Sequence, residues 1–525
     1  MNDDPRLEFL RETDRIYQIL LAKTRDTRQR GNIERFLRWV QITARFAAVA
    51  HTGRYADGAI ENLILDIGHG PLPKPRDVEP LRATRGRRIL HVATRLLDTG
   101  GHTRLMARWI ASETVGIHHV AVTDQKASEV PSFVHQTIAR GGGSIVALGA
   151  DSSRRARASA LRELARTSAD LCILHTHQFD PVPVIAFAAG EVPPVAIMNH
   201  ADHQFWLGPS VGDAIINFRD FAQRLTARRH ARNPHLIPIP LRPVDMSISR
   251  EEARRRLGVG EGEVMLMTMG IESKYEATPL HDFYAAGREI LDRNPSARLF
   301  MVGVSERAAR ARLGQDGLTR LHAVGLQGDP TIYQRAADIY LEGMPYSSFT
   351  ALFETVAAGV CPVIMYAANE QLDSSGDPGL RRAARSLPDR ATYVDYVSEL
   401  IRDPSLRQEI ATIAREDMES AHMGEGWSGA VHALYVDLDG ARHQVTPLPD
   451  VEPEVHNPDL LRAEWDEHRY GRYPLMAIGA AEAGSIGRLA QLLKLSARAG
   501  DSRLTARHAL AWSGMLVRLL RGYRV

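Results

Sequence analysis

Short apolar runs alternate with helical stretches over most of this 525-residue chain. Apolar runs bounded by Gly, Pro or polar residues are typical of buried strands, and strands that alternate with helices indicate a parallel sheet. The pattern therefore predicts an α/β protein with two doubly wound units, in which binding sites lie at the carboxyl ends of the strands. The predicted strands are residues 89–93, 119–122, 144–148, 171–175, 195–198 and 214–217 in the first unit, and residues 264–268, 297–303, 324–328 (strand and turn), 339–341 and a run from 362 in the second.

Composition narrows the classes of function. Hydrophobic residues make up 44% of the chain and charged residues 24%, which is ordinary for a globular protein with two or three cores. The formal net charge of +2 gives no reason to expect nucleic-acid binding. Cys172 and Cys361 lie in apolar runs, which indicates small buried residues and neither a disulfide framework nor a metal site. The sequence starts without an apolar signal core, and prolines and a glutamate interrupt its most apolar stretch, so we expect a cytoplasmic enzyme.

Proline-rich segments and changes of pattern divide the chain. We predict a helical N-terminal region at residues 1–80, a first Rossmann-like domain at 81–243, a second at 244–436, and a helical C-terminal extension at 437–525. Residues 503–525 carry an apolar stripe that includes Trp512, Leu516 and Leu519. We expect this stripe to dock on the body of the protein, and binding to an anionic membrane is the alternative.

The segment at residues 338–363 gives the clearest indication of a ligand-binding site. A buried strand is followed by a polar turn with Ser347, Ser348 and Thr350, and a helix begins there. The N-terminus of a helix favours an anion such as a diphosphate, because its N–H groups are unpaired and its dipole is positive. Glu354 lies one turn after Thr350 on the same helix face, where it could bind ribose hydroxyls. The competing interpretation is a capped helix with a solvated glutamate.

Two further strand ends carry residues suited to phosphate. Gly100 and Gly101 follow the first strand and precede a helix, and their small size lets a ligand approach the backbone. Lys274 follows the strand at 264–268, where its point charge suits a diphosphate. Both features have a simpler interpretation, as a tight turn and as an exposed loop lysine.

Histidines gather at neighbouring strand ends. His200, Asp202 and His203 follow one strand, and His102 and His177 follow two others. A histidine can take a proton from a hydroxyl near neutral pH, and a carboxylate can orient it, so this group is a candidate acid–base cluster. Histidine and aspartate are also metal ligands, and any single histidine can be purely structural.

The segment at 338–363 resembles the donor site of GT-B glycosyltransferases, especially glycosyltransferase family 4 (group 1). Tyr346 stands where that family has its first glutamate, so the resemblance carries donor binding over and leaves the stereochemical outcome, inverting or retaining, open. Ser347, Ser348 and Thr350 replace the family's glycine-rich turn, and this turn is more similar to the Thr-rich diphosphate turn of the O-GlcNAc transferase group. The resemblance extends over about residues 86–436. The matching residues are Asp338, Pro345, Glu354, Ala357, Gly359, Pro362 and Val363.

The resemblance implies two Rossmann-like doubly wound domains facing a cleft, with helical N- and C-terminal extensions. It implies transfer of a sugar from a nucleotide-sugar donor, which is a substrate, with no cofactor and no metal. The acceptor is left open among a glycan, a metabolite, a lipid-linked glycan and a protein, as are a homo-oligomer and peripheral membrane contact. A nucleotide-sugar epimerase of the same fold and a non-catalytic subunit that binds a partner protein are the alternatives. The expected catalytic residues are His102, His200 and Asp202, and the expected donor-binding residues are Gly100, Gly101, Lys274, Ser347, Ser348, Thr350 and Glu354.

Overall fold

The computed structural model describes residues 4–75, 81, 86–98, 101–149, 151–314, 319–368 and 373–470. Within them the chain forms two units. The first comprises the residues up to Asn217, Ala222–His235 and the residues from Leu434 onward, and the second comprises Phe218–Phe221 and Leu236–Ala433. The apolar stripe predicted at 503–525 lies outside the described residues.

Among the described residues, twelve strands form two sheets, and the predicted alternation of strands and helices is confirmed. The strands are β1 (Arg88–Ala93), β2 (Ile117–Val122), β3 (Ile145–Ala147), β4 (Leu171–His175), β5 (Val195–Met198), β6 (Ala214–Asn217), β7 (Pro234–Leu236), β8 (Val264–Met269), β9 (Ala297–Val302), β10 (Leu321–Gly325), β11 (Ile339–Leu341) and β12 (Cys361–Val363). The helices are α1 (Pro5–Gln29), α2 (Ile33–Val49), α3 (Gly58–His69), α4 (Gly101–Ser112), α5 (Ser132–Arg140), α6 (Arg154–Ser168), α7 (Pro181–Phe187), α8 (Asp220–Leu225), α9 (Arg250–Leu257), α10 (Phe283–Arg293), α11 (Glu306–Leu313), α12 (Thr331–Ala336), α13 (Phe349–Ala357), α14 (Arg390–Arg402), α15 (Pro404–His422), α16 (Gly424–Asp437) and α17 (Asn457–Tyr470).

The first sheet has seven strands in the order β3-β2-β1-β4-β5-β6-β7. Neighbouring strands from β3 to β6 run parallel. Alternate residues of β1 enter two cores: Leu90 and Val92 pack on one face, and Ala93 packs on the other. Helices therefore cover both faces, as a doubly wound parallel sheet requires.

The N-terminal helices α1 to α3 belong to the first unit and share its core. Phe36 and Phe46 of α2 are fully buried in the same cluster as Leu90 and Leu174 of the sheet. Residues 441–456 form neither helix nor strand, and they run against α3, where the Gly58 N–H donates to the Pro449 carbonyl at 2.9 Å. The first unit is thus built from residues on both sides of the second unit in sequence.

The second sheet has five parallel strands in the order β10-β9-β8-β11-β12. Leu266 and Met267, neighbours on β8, enter different cores, so this sheet is also covered on both faces. The edge strand β10 begins at Leu321, three residues before the prediction of 324–328. Most of its residues are only partly buried, so its apolar signal in the sequence is weak.

Cys172 and Cys361 are buried free thiols, as predicted. None of the described helices combines the length and the apolar character that crossing a membrane demands.

Candidate functional site: an anion-binding turn and a histidine cluster

Two glycines bring the strand ends of the second sheet close to the start of α13. Gly270 follows β8, and a Cβ at this position would lie 2.6 Å from Ser348 Oγ. Gly303 follows β9 with a φ of +97°, and a Cβ there would lie 2.5 Å from the Gly270 carbonyl oxygen. Both contacts are closer than a side chain tolerates, so glycine is required for this approach.

Lys274 places a cation at this turn. It belongs to a short 3-10 helix, Glu272–Tyr275, and its Nζ donates to the Ser347 carbonyl oxygen at 2.7 Å. The ammonium also lies 5.2 Å from the centroid of the Tyr346 ring. Burial lowers the pKa of Lys274 to about 8, although the nearby Glu342 carboxylate favours the charged form. The cation has thus lost much of its hydration, and an anionic ligand would stabilise it.

The start of α13 has the properties of an anion site. Ser348 precedes the helix, and none of the described side chains caps it. Ser348 Oγ is buried and has no hydrogen-bond partner among the described residues. Buried hydroxyls are nearly always hydrogen-bonded, and the first N–H groups of a helix have no partner within it. Together with the Lys274 ammonium, these donors fit the oxygens of a phosphate.

Thr350 and Glu354 both lie on α13 and are partly buried. Burial raises the pKa of Tyr340, and the charge of Glu354 adds to this shift, so the Glu354 carboxylate is near the Tyr340 ring. Tyr340 donates from its hydroxyl to the Met269 carbonyl at 3.3 Å, at the end of β8. Five predicted donor-binding residues therefore lie at the carboxyl ends of the strands of the second sheet. They are Lys274, Ser347, Ser348, Thr350 and Glu354.

The sequence analysis missed Glu342, which directly follows β11 and is fully buried. Its carboxylate accepts hydrogen bonds from the Met365 N–H at 2.9 Å and from the Ser374 hydroxyl at 2.6 Å. Burial and the neighbouring Asp373 raise the pKa of Glu342 to about 7. A charged residue inside an otherwise apolar strand end was the signal in the sequence that could have identified it.

In the first unit, three predicted histidines come together. The rings of His102 and His200 stack with their centroids 4.0 Å apart and an angle of 25° between their planes. Burial lowers the pKa of His102 to about 4, and the nearby His177 adds to this shift. Burial also lowers the pKa of His200 well below 6.5. These rings are therefore neutral at pH 7 and carry a lone pair that can accept a proton.

The remaining predicted residues of the first unit are Asp202, Gly100 and Gly101. Asp202 has its Oδ1 3.4 Å from His203 Nδ1, and its backbone carbonyl accepts from the buried Arg229 at 2.8 Å. Gly101 opens α4 and is exposed, whereas Gly100 lies outside the described residues. No group of three or more His, Cys, Asp or Glu side chains has the arrangement of a metal site in the described part of the chain.

The sequence analysis also missed histidines inside the strands. His175 ends β4, and its Nδ1 lies 3.1 Å from His200 Nε2. His91 and His118 continue this contact on the neighbouring strands β1 and β2. Histidines within buried apolar runs were visible in the sequence, but their adjacency depends on the order of the strands.

Known proteins resemble this chain in fold and not in sequence. No protein-family model and no curated protein sequence matches this chain. A glycosyltransferase from Rickettsia africae aligns with a TM-score of 0.53 at 9% identity, over 67% of this chain and 98% of that chain. Anabaena HepE, crystallised with UDP and glucose, aligns with a TM-score of 0.50 at 13% identity, over 68% of this chain and 100% of that chain. A mutant of the Thermobaculum terrenum O-GlcNAc transferase gives a TM-score of 0.49 at 16% identity, over 81% and 82% of the two chains.

The first two matches and the two doubly wound parallel sheets identify the fold as GT-B, the predicted class. Similarity at this level of identity concerns the fold and not the reaction.

Proposed function

We propose that this protein is a glycosyltransferase that moves a sugar from a nucleotide-sugar donor to an acceptor. The observation that carries the proposal is the anion site at the start of α13. There the desolvated Lys274 ammonium lies beside the buried Ser348 hydroxyl, which has no hydrogen-bond partner among the described residues. The GT-B fold supports it, because HepE of the same fold was crystallised with UDP and glucose.

In this proposal the second unit binds the donor. Lys274, Ser348 and Thr350 bind the diphosphate, and Glu354 accepts hydrogen bonds from the ribose hydroxyls. Positive charge from Lys274 and from the helix N-terminus stabilises the diphosphate as it leaves. The reaction therefore proceeds without a metal, since these groups supply the charge that a metal would supply.

The first unit binds the acceptor and supplies the base. His200 and His102 are the preferred bases, because both are neutral and stacked at the carboxyl edge of the first sheet. Asp202 is the remaining candidate. We rank it below the two histidines, because its carboxylate already contacts His203 and its backbone carbonyl accepts a hydrogen bond from Arg229. A glycan, a lipid-linked glycan, a metabolite or a protein would each offer the hydroxyl or amide that such a base can deprotonate.

Calorimetric titration of UDP and of uridine tests the donor site. We expect Glu354→Gln to weaken both ligands by about ten- to a hundredfold, because a charge-assisted hydrogen bond to ribose contributes about 1.5–3 kcal/mol. Thr350→Ala should weaken UDP but leave uridine unchanged, because its partner is phosphate. The matched controls are Glu416→Gln and Thr412→Ala on the exposed face of α15, which should change neither affinity.

If Glu354→Gln and Thr350→Ala both bound UDP and uridine with wild-type affinity, the donor site would not lie at α13. If UDP does not bind, the same titration with ADP, GDP and CDP tests the other bases, and failure of all four would refute a nucleotide-sugar enzyme. Incubation with UDP-glucose, followed by analysis of products with and without acceptors, then separates the reactions. An isomerised donor without transfer would indicate an epimerase instead.

A further inference from the structure

A row of histidines crosses the first sheet. His118, His91 and His175 lie on the neighbouring strands β2, β1 and β4, and His200 follows the next strand, β5. The three strand histidines are almost completely buried, with 2%, 0% and 3% of their surface exposed. The row begins near the start of β2 and ends at the carboxyl edge of the sheet, where His200 meets His102.

Ring-to-ring hydrogen bonds connect the row. His91 Nε2 lies 2.9 Å from His118 Nδ1, and His91 Nδ1 lies 2.9 Å from His175 Nε2. His175 Nδ1 lies 3.1 Å from His200 Nε2. At the far end, His118 Nε2 lies 2.7 Å from Glu113 Oε2. We call these five residues, Glu113, His118, His91, His175 and His200, the histidine relay.

Glu113 determines the direction of the hydrogen bonds. Burial favours its neutral form, but hydrogen bonds from His118, Val115 and Gly116 outweigh burial and lower the pKa of Glu113. A carboxylate only accepts hydrogen bonds, so a neutral His118 donates from Nε2 and presents Nδ1 as an acceptor. The same argument repeats at each neutral ring. His200 therefore carries its proton on Nε2 and has its lone pair on Nδ1.

We propose that the histidine relay makes Nδ1 of His200 the base of the transfer and stores the proton that it accepts, an inference that rests on the proposed function. The acceptor hydroxyl gives its proton to His200 Nδ1 while its oxygen bonds to the anomeric carbon of the donor sugar. The bond between that carbon and the diphosphate oxygen breaks, and the diphosphate leaves with the electron pair.

The proton then moves by one shift at each hydrogen bond. Each ring passes its Nε2 proton to Nδ1 of the next ring, from His200 to His175, His91 and His118, and the last proton forms the carboxylic acid of Glu113. All four rings end neutral, with their protons on Nδ1. After the products leave, the same shifts in reverse return the proton to His200 Nδ1 and from there to water.

The relay avoids a buried positive charge on His200 after proton transfer. Burial lowers the pKa of His175 to about 3 and lowers those of His91 and His200 far below 6.5, so an imidazolium in this sheet is costly. Moving the proton to Glu113 removes both the positive and the negative charge from the interior.

Other titratable groups flank both ends of the relay. Tyr435 is close to Glu113, and His119 is close to His118. His102 and His177 are close to His200. Their protonation therefore has to be followed in the same experiment.

The first test is independent of any substrate. Nitrogen–proton correlation spectra of the full chain, labelled with ¹⁵N in its histidine rings, report which ring nitrogen carries the proton. At pH 7 we expect Nε2 protonation at all four relay histidines, and on acidification we expect them to shift with one common midpoint. A ring of the wild-type relay that carries its proton on Nδ1, or four independent midpoints, would overturn the proposal.

Two variants sharpen this test. His91→Gln interrupts the relay, so His175 and His200 should titrate separately from His118. His119→Gln is the matched control: His119 is a fully buried neighbour on β2, but its Nδ1 accepts from the Ser144 N–H at 3.1 Å and lies outside the relay. The control should leave the relay spectra unchanged, and a common midpoint that survives His91→Gln would refute the relay.

The second test measures turnover of UDP-glucose with water as acceptor. Glu113→Gln should lower kcat by about ten- to a hundredfold without changing the Kd for UDP, within the contribution of a general base. The acidic limb of its pH profile should move to lower pH, because His200 loses the stabilising negative charge. A fall in kcat without this shift would mean that Glu113 is only structural. Failure of the proposed function would appear separately, as absent binding of UDP, ADP, GDP and CDP to the wild type, and the spectra would still decide the relay.

Discussion

The proposed contact between Lys274 and the diphosphate would make nucleotide binding depend on a proton. In the free protein, burial lowers the pKa of its ammonium to about 8. A bound diphosphate would place at least two negative charges beside it and restore the pKa to its ordinary value of about 10.5 or above. Between these two values the free protein is largely deprotonated at Lys274 and the complex is protonated. Binding must therefore take up a proton.

The size of the effect follows from the two pKa values. Uptake should be about 0.1 proton at pH 7, about 0.5 at pH 8 and about 0.9 at pH 9. The affinity should fall by about tenfold between pH 7 and pH 9 for the same reason. If the Lys274 ammonium kept its hydration and its ordinary pKa of about 10.5, there would be little proton uptake and little change of affinity between about pH 7 and pH 9.

Calorimetry with UDP in buffers of different ionisation enthalpy measures the number of protons directly. Lys274→Met should abolish the uptake, and Lys274→Arg should bind UDP with an affinity that hardly changes up to pH 9, since arginine does not titrate there. Lys126→Met is the control, because Lys126 is exposed and pairs only loosely with Asp151 at 3.7 Å. Absence of proton uptake at pH 8, or equal uptake in Lys274→Met, would refute the assignment of Lys274 to the diphosphate.

Three further predictions concern stability and can be checked by urea denaturation. Gly303→Ala should cost at least about 2 kcal/mol, because an alanine at a φ of +97° is strained and its Cβ would collide with backbone; an unchanged midpoint would contradict this packing. Asp338→Asn should cost about 2–4 kcal/mol, because the partly buried carboxylate binds Arg250 at 2.6 Å and Arg254 at 2.9 Å; a loss below 1 kcal/mol would mean that these pairs are dispensable. Burial raises the pKa of Glu61 from 4.5 to about 7, so folding favours its protonated form, and this contribution is lost as pH rises from about 4.5 through 7. Glu61→Gln should remove up to about 3 kcal/mol of that pH dependence, and an unaltered slope would contradict the raised pKa.

Local signals in the sequence were sufficient for most strands. β4, β5, β6 and β11 occupy the predicted residues, because each is a short apolar run with turn residues on both sides. The start of α13 at Phe349 was also predicted, from a polar turn followed by helical spacing. The turn and the helix that follows it carry Ser348, Thr350 and Glu354, so these residues of the donor hypothesis are close together in the chain.

The histidine relay and Glu342 depended on tertiary structure. A periodic pattern shows which residues of a strand are buried, but it does not show which strand lies beside it. The order β2-β1-β4-β5 places His118, His91 and His175 side by side although as many as 84 residues separate two hydrogen-bonded rings. The pKa values of Glu342 and Lys274 have the same origin, because desolvation is a property of the packed environment and not of the residue type. The sequence by itself determined the strands, the helices and the polar turn, whereas the strand order and the burial decided which polar groups meet and which of them are charged.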